Sequence, residues 1–282
     1  MPLIIIVFVV LLIAGIYLAL PGDKLYKQFV EEVQASIRKA ADLSQKSSIT
    51  AESIAALPLP LQKHISYCGY IGKPMMDVMK VDYKNALFQF SPKRNRGLIK
   101  IEQYNTCSQP DRLAFVSAKQ FIITFSGKDT LIDGKGSMNI KMAKHIAFSS
   151  YDGPDVSQTQ LAAILADAVA MPSLFLQEYV TCSAIDDTHV ECSISWDDLT
   201  ASGIYTFNEE GRIVQFDTDD RFMEDEDQTV KLPWTIEYRD YKERDGIKFP
   251  SNIVVYWLMP DEKKYIQLIC ENLKISHRVL SS

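Results

Sequence analysis

Any chemistry in this chain has to be built from four histidines, five cysteines and one dense run of carboxylates. The histidines are His64, His145, His189 and His277, and none forms an H-x-x-x-H or H-E-x-x-H pair. Helical zinc ligands need such spacing to bring two imidazoles to one face, so no metal site is expected. Residues Asp217 to Asp227 read DTDDRFMEDED. Oxygen-rich runs suit calcium. Here Phe222 stands where a calcium loop needs glycine, and Gln228 where it needs a bidentate glutamate. The run is expected to be a solvated acidic loop. Cys182 and Cys192 lie symmetrically about Asp187, so a tight hairpin would set them directly opposite each other. Such a pair is either a disulfide or two thiols on an apolar face. Cys68, Cys107 and Cys270 show no partner, and an odd count leaves at least one thiol free.

There is no G-x-S-x-G elbow, phosphate loop or dinucleotide fingerprint. Gly134-Lys135-Gly136-Ser137 lacks the spaced first glycine of a phosphate loop and reads as a hairpin turn. Glu102, Asp133 and Asp220 are generic carboxylates that nothing pairs. No catalytic residue, metal or cofactor is therefore expected. The 282 residues are 47% hydrophobic and 23% charged, with a net charge of -6. That balance excludes a disordered chain, a collagen, a coiled-coil rod and a multi-pass membrane protein. The acidity argues against a nucleic-acid partner.

The elements that position these residues begin with an apolar run. Leu3 to Leu20 carries no charge over eighteen residues. As a helix it would span about 27 Å, enough for a bilayer core. No Lys or Arg precedes it, and the exit Leu18-Ala19-Leu20-Pro21 is a poor cleavage site, so a retained anchor is expected over residues 1–22. Lys24 and Lys27 follow the run, and by the positive-inside tendency they point to a cytoplasmic domain.

Residues 23–66 read as a helical stalk and short leading helices. Asp23 is a candidate N-cap, and Leu25, Phe29, Val33 and Ile37 recur at helical spacing to about Lys46. That face packs on the protein's own domain rather than on a membrane, since both charge signs flank it. A short helix is expected from Thr50 and another over Leu61 to Tyr67.

Residues 67–282 read as an antiparallel β domain. Met75–Tyr83, Leu98–Cys107, Gln120–Phe125, Ser137–Met142 and Ile146–Ser150 are its first candidate strands. One helix is inserted at about 155–171, with an apolar stripe of Leu161, Ile164, Leu165, Ala168 and Met171. Beyond Gln177, strands with period-two alternation are joined by short turns at Asp186-Asp187, Asn208 to Gly211 and Arg244 to Gly246. Val190, Ile194, Trp196, Val214, Phe216, Trp234, Ile236 and Tyr238 fall on the apolar faces. The fold class is α+β, with a large antiparallel sheet that must curl or close.

Leu57-Pro58-Leu59-Pro60-Leu61-Gln62-Lys63-His64 and Gly69-Tyr70-Ile71-Gly72-Lys73-Pro74 open a pattern. It continues in Asp133 to Met138, in the Leu161 to Pro172 helix, and in Asp220-Arg221 before Pro233-Trp234. In that order, over most of residues 57–275, the chain resembles an uncharacterised group of bacterial membrane-anchored proteins that is itself similar to LolA/LolB-type lipoprotein carriers. The resemblance implies a half-open antiparallel barrel closed by helices, with an apolar cavity for acyl chains, and no established activity. It also implies the outer side of the membrane, so the bulk of the chain is expected to be extracytoplasmic. The eight apolar-face residues named above are then the expected lining of a site for a lipid or acylated molecule. The alternatives are a ligand-free envelope scaffold and an uncharacterised enzyme.

Overall fold

A computed structural model describes residues 22–44, 47–93, 95–120, 123–225 and 228–280. The apolar run expected to anchor the chain, residues 3–20, lies outside the described residues.

Helix α1 (Lys24–Leu43) starts where Asp23 caps it, its Oδ1 accepting from the Leu25 amide at 2.9 Å. Helix α2 (Leu59–Tyr67) takes Pro60 in its first turn, where a missing N–H costs nothing. The helix expected from Thr50 is instead a series of turns over 51–56, stapled by Thr50 and Ser53 bonding each other's amides. Six strands follow: β1 (Val78–Gln89), β2 (Arg96–Thr106), β3 (Arg112–Gln120), β4 (Ile123–Ile132), β5 (Lys135–Met142) and β6 (Ile146–Asp152). Helix α3 (Pro154–Asp167) then leads into two 3-10 turns, Ala168–Ala170 and Pro172–Leu176. The inserted helix is thus shorter than expected, its last turns tightened before Pro172. The remaining strands are β7 (Val180–Ala184), β8 (His189–Trp196), β9 (Leu199–Phe207), β10 (Ile213–Thr218) and β11 (Phe222–Asp225). They continue with β12 (Gln228–Lys231), β13 (Trp234–Arg244), β14 (Ile247–Leu258), β15 (Lys264–Cys270) and β16 (Lys274–Arg278).

Fourteen strands form one antiparallel sheet in the order β6-β5-β4-β3-β2-β1-β15-β14-β13-β10-β9-β8-β7, with β16 also paired to β1. The sheet is open, with edges at β6 and β7. A sheet this long must curl, and α3 lies in the curl. Near one end of α3, the Gly136 amide of β5 donates to Ser157 Oγ at 2.7 Å. Nearby, Gln158 Nε2 donates to the Thr200 carbonyl of β9 at 3.2 Å. One helix thus touches strands near both edges of the sheet. The hairpin β11–β12 stands apart as a second, two-stranded sheet. The acidic run is therefore not a loop throughout. It ends β10, and Phe222–Asp225 pairs with Gln228–Lys231.

The two faces of the sheet hold different cores. Leu161, Ala162, Ile164 and Leu165 of α3 are buried with Val190, Ile194, Phe216, Ile236 and Tyr238 on the concave side. On the convex side, Leu25, Phe29 and Val33 of α1 pack on Leu113 and Phe115 of β3. Alternation along β3 makes this division, since Arg112 and Ala114 point inward where Leu113 and Phe115 point outward. The stalk helix is therefore part of the β domain's outer layer.

Candidate binding cleft

The eight residues expected to line a site are brought together only in part. Val190, Ile194 and Phe216 are fully buried, and Trp234, Ile236 and Tyr238 nearly so. They lie under α3 and the 3-10 turns rather than around an open space. Tyr238 donates its hydroxyl to the Ala166 carbonyl at 2.6 Å, and Tyr205 caps the Leu165 carbonyl. The cavity left among Tyr83, Asp167, Ile236, Tyr238 and Ile253 is about 30 Å³. That is room for a water, not an acyl chain. Trp196 is half-buried, edge-on to Tyr179 at 5.3 Å. Val214 is also only half-buried, because a register shift between Ile213 and Gln215 gives both Ile213 and Phe216 to the core.

Open space on the concave side lies elsewhere. A cleft of about 280 Å³ runs between β5, the N-terminal half of α3, the β11–β12 hairpin and the ends of β1, β14 and β15. Phe88, Phe90, Met138, Ile140, Phe222 and Trp257 supply its apolar walls. These residues come from distant parts of the chain, so no local pattern marks them as a set. The one sequence signal is Arg221-Phe222-Met223, a cation and two large apolar residues inside an acidic run.

Beneath the cleft lies a polar network. The Arg112 guanidinium donates to Gln160 Oε1 at 2.6 Å, Gln103 Oε1 at 2.9 Å and Asp129 Oδ2 at 3.1 Å. Its Nε sits 3.6 Å from Asp167. Asp167 also accepts from Gln103 at 2.7 Å and Asn105 at 2.9 Å, and Asp129 from Gln160. Burial works against the charge on Arg112, but Asp129 and Asp167 outweigh it and hold the guanidinium protonated more firmly than usual.

Arg221 lines the cleft and differs from Arg112 in having no partner of that kind. Its guanidinium carbon lies 4.2 Å from the Trp234 ring centroid and 5.8 Å from that of Trp257. Among the described residues its side chain makes no hydrogen bond or ion pair, and its Nε and the Trp234 Nε1 are both buried without partners. Burial, with some repulsion from Arg112, lowers its pKa to about 10, so it stays charged at neutral pH. A cation held between two indoles and short of hydrogen-bond acceptors suits an anionic group entering the cleft.

The remaining candidates stand apart. Glu102 lies outside the cleft, bonded to Tyr26, Tyr104 and Lys80. Asp133 sits in the β4–β5 turn, paired with Lys39. Asp220 accepts from Ser202 and Lys231 at the start of the β11–β12 excursion. Among the described residues no group of three or more His, Cys, Asp or Glu is placed to hold a metal ion. Cys182 and Cys192 face each other across β7 and β8 and form a disulfide.

A family model described as a family of unknown function, DUF6544, matches residues 47–268. Comparison with curated proteins gives no match. Among solved structures, the chain is similar to a LolA superfamily protein from Nitrosomonas europaea. That match has 10% sequence identity and a TM-score of 0.40, and covers 79% of this chain and 96% of the other.

Proposed function

The chain belongs to DUF6544, a family of unknown function, and from that premise we propose that it is a membrane-tethered module that binds an apolar ligand, a lipid or acylated molecule. The observation that carries this reading is the cleft of about 280 Å³ on the concave side, walled by Phe88, Met138, Ile140 and Trp257. Its size approaches the lower end of small-molecule sites, about 300 Å³. Arg221, which forms no direct ion pair among the described residues and feels Asp129 and Asp167 only at a distance, supports a ligand with an anionic head beside its apolar part. Each methylene buried in such walls contributes about 0.8 kcal/mol. The tether is residues 3–20, whose composition supports membrane insertion. We place the domain on the outer side of the membrane. The Cys182–Cys192 disulfide supports that placement, because such bonds persist in oxidising compartments.

A photoreactive fatty acid added to membranes holding the full chain tests the reading. Cross-links are expected on Met138, Ile140 or Phe222. Cross-links confined to residues 3–20 would refute it.

A second reading is a scaffold without a ligand. The packing of α3 against β8–β10 and β13, with about 30 Å³ left over, favours it for that half of the sheet.

A further inference from the structure

Charge is segregated along the first half of the sheet. Residues 84–100, 117–127 and 139–150 contain eight Lys and Arg and no Asp or Glu, in a chain whose net charge is -6. All 36 acidic residues lie elsewhere. The described residues of these three segments belong to the β1–β2, β3–β4 and β5–β6 hairpins, at their tips and the strand ends that flank them. Because β1 to β6 form one antiparallel meander, the three tips lie along one end of it. The Ala143 amide donates to the Thr124 carbonyl at 2.7 Å, which joins the second tip to the third. A single groove of about 670 Å³ on the convex side runs along this end, lined by Asn85, Leu98 and Lys100 of β1 and β2, by Lys119 and Thr124 beside the β3–β4 tip, and by Lys144 of the β5–β6 tip. The other end of the same strands carries Asp77, Asp111, Asp133 and Asp152.

The basic end is also apolar. Leu87, Phe90, Leu98, Ile123, Ile146 and Phe148 are each at least 40% exposed. Lysines interleaved with exposed Leu, Ile and Phe make a surface suited to the boundary of anionic headgroups and acyl chains. The covalent connection points to the same end. Asp23 and Tyr26 line the groove, and Ser126 of β4 bonds the Asp23 carboxylate. The apolar residues 3–20 join the domain only a few residues before Asp23. From there α1 runs away along the convex face, through Lys128 with Glu32 to Lys39 with Asp133 at the acidic end.

We propose that the end of the sheet formed by the β1–β2, β3–β4 and β5–β6 tips docks on an anionic lipid bilayer. The inference rests on the reading that residues 3–20 tether the chain, and not on what the concave cleft holds. Docking fixes the domain's orientation, with Leu98 and Phe148 at the lipid surface and Leu43 away from it. The twenty residues of α1 set Leu43 about 30 Å from the tips.

Full-length chains carrying Leu98→Trp, Phe148→Trp or Leu43→Trp are reconstituted into vesicles of phosphatidylcholine, with or without phosphatidylglycerol. Brominated acyl chains quench tryptophans that reach the lipid, and the parent protein supplies the background from Trp196, Trp234 and Trp257. Quenching is expected at positions 98 and 148 and not at 43. It should be stronger with phosphatidylglycerol, weaker in about 1 M salt, where screening shortens to about 3 Å, and weaker in a Lys119→Glu/Lys144→Glu variant. If the chain floats with vesicles but positions 98 and 148 are quenched no more than 43, docking is overturned and the tether stands. If the chain does not float with vesicles, both are overturned.

Discussion

Acid should loosen the seam between α2 and the sheet through one imidazole. His64 is fully buried. Its Nδ1 accepts the Ile213 amide at 3.2 Å, and its Nε2 faces the Val169 carbonyl at 3.3 Å. These partners assign the neutral tautomer with the proton on Nε2. A second proton would have to displace the Ile213 amide and bring a charge into the core. Burial accordingly lowers the pKa from 6.5 to about 4, against weaker opposing hydrogen bonds. The unfolded chain binds the proton more readily than the folded one. The stabilisation is therefore complete above about pH 6.5, falls as the pH drops through the window to about 4, and is exhausted below it. At about pH 5 the proton-binding terms, 1 + 10^(pKa − pH), of the unfolded and folded chains differ by roughly thirty-fold, which is about 2 kcal/mol of lost stability relative to pH 8. Urea unfolding of the full chain in neutral detergent at both pH values measures this loss. His64→Gln keeps a donor and an acceptor but cannot titrate. His277, also depressed by burial, contributes equally to both proteins and cancels. The variant should lose about 2 kcal/mol less than the wild type between the two pH values. Equal losses would refute the reasoning.

Other perturbations have separate readouts. Reducing the Cys182–Cys192 bond, or replacing both cysteines with serine, should lower the unfolding free energy by up to about 3 kcal/mol, the loop entropy of a ten-residue separation; chemical denaturation with and without dithiothreitol measures it. Gly136→Ala would place a Cβ 2.6 Å from Ser157 N and Cα. That is backbone of α3, so the helix must shift, at a cost of about 2 kcal/mol, visible as a lower Tm. Arg221→Met should weaken retention of a fluorescent fatty acid by about ten-fold and leave the corresponding fatty alcohol unchanged, as loss of one charge-assisted bond requires. Equal losses for acid and alcohol would instead assign Arg221 a packing role.

What the sequence made legible follows the range of the interactions. The β7–β10 and β13–β14 hairpins were readable because alternation and turn chemistry are local: Val190, Cys192 and Ile194 point inward in register with Tyr205, Gly203 and Ala201. Strand β3 was not read, because Arg112 to Gln120 puts an arginine, two alanines and a valine on its inner face and has no clean period. Arg112 sits inward only because Asp129, Asp167, Gln103 and Gln160 arrive from other elements. The pairing of β1 with β15 and β16, which makes the two halves one sheet, joins residues nearly two hundred positions apart. The eight apolar-face residues were legible as a face. Whether a helix or a ligand covers that face is decided by α3, which is buried nearly all round rather than along one stripe.

The Arg112 network explains why the cleft remains beside so well packed a core. Asp167 and Gln160 are on α3, while Arg112, Gln103, Asn105 and Asp129 are on β2, β3 and β4. Their bonds hold α3 at one height above these strands, whereas apolar contacts alone would let it settle further into the open space. Removing only the cation, by Arg112→Met, leaves two carboxylates buried without their counter-charge and should cost about 3 to 5 kcal/mol. Replacing the group together, by Arg112→Met with Asp129→Leu and Asp167→Leu, should recover most of that loss, since burial of charge disappears with its compensation. If the network also sets the helix position, the triple variant should unfold near the wild-type midpoint yet lose photoreactive fatty-acid labelling at Met138 and Ile140. A triple variant that is stable and still labels there would show that the helix is placed by its apolar contacts alone.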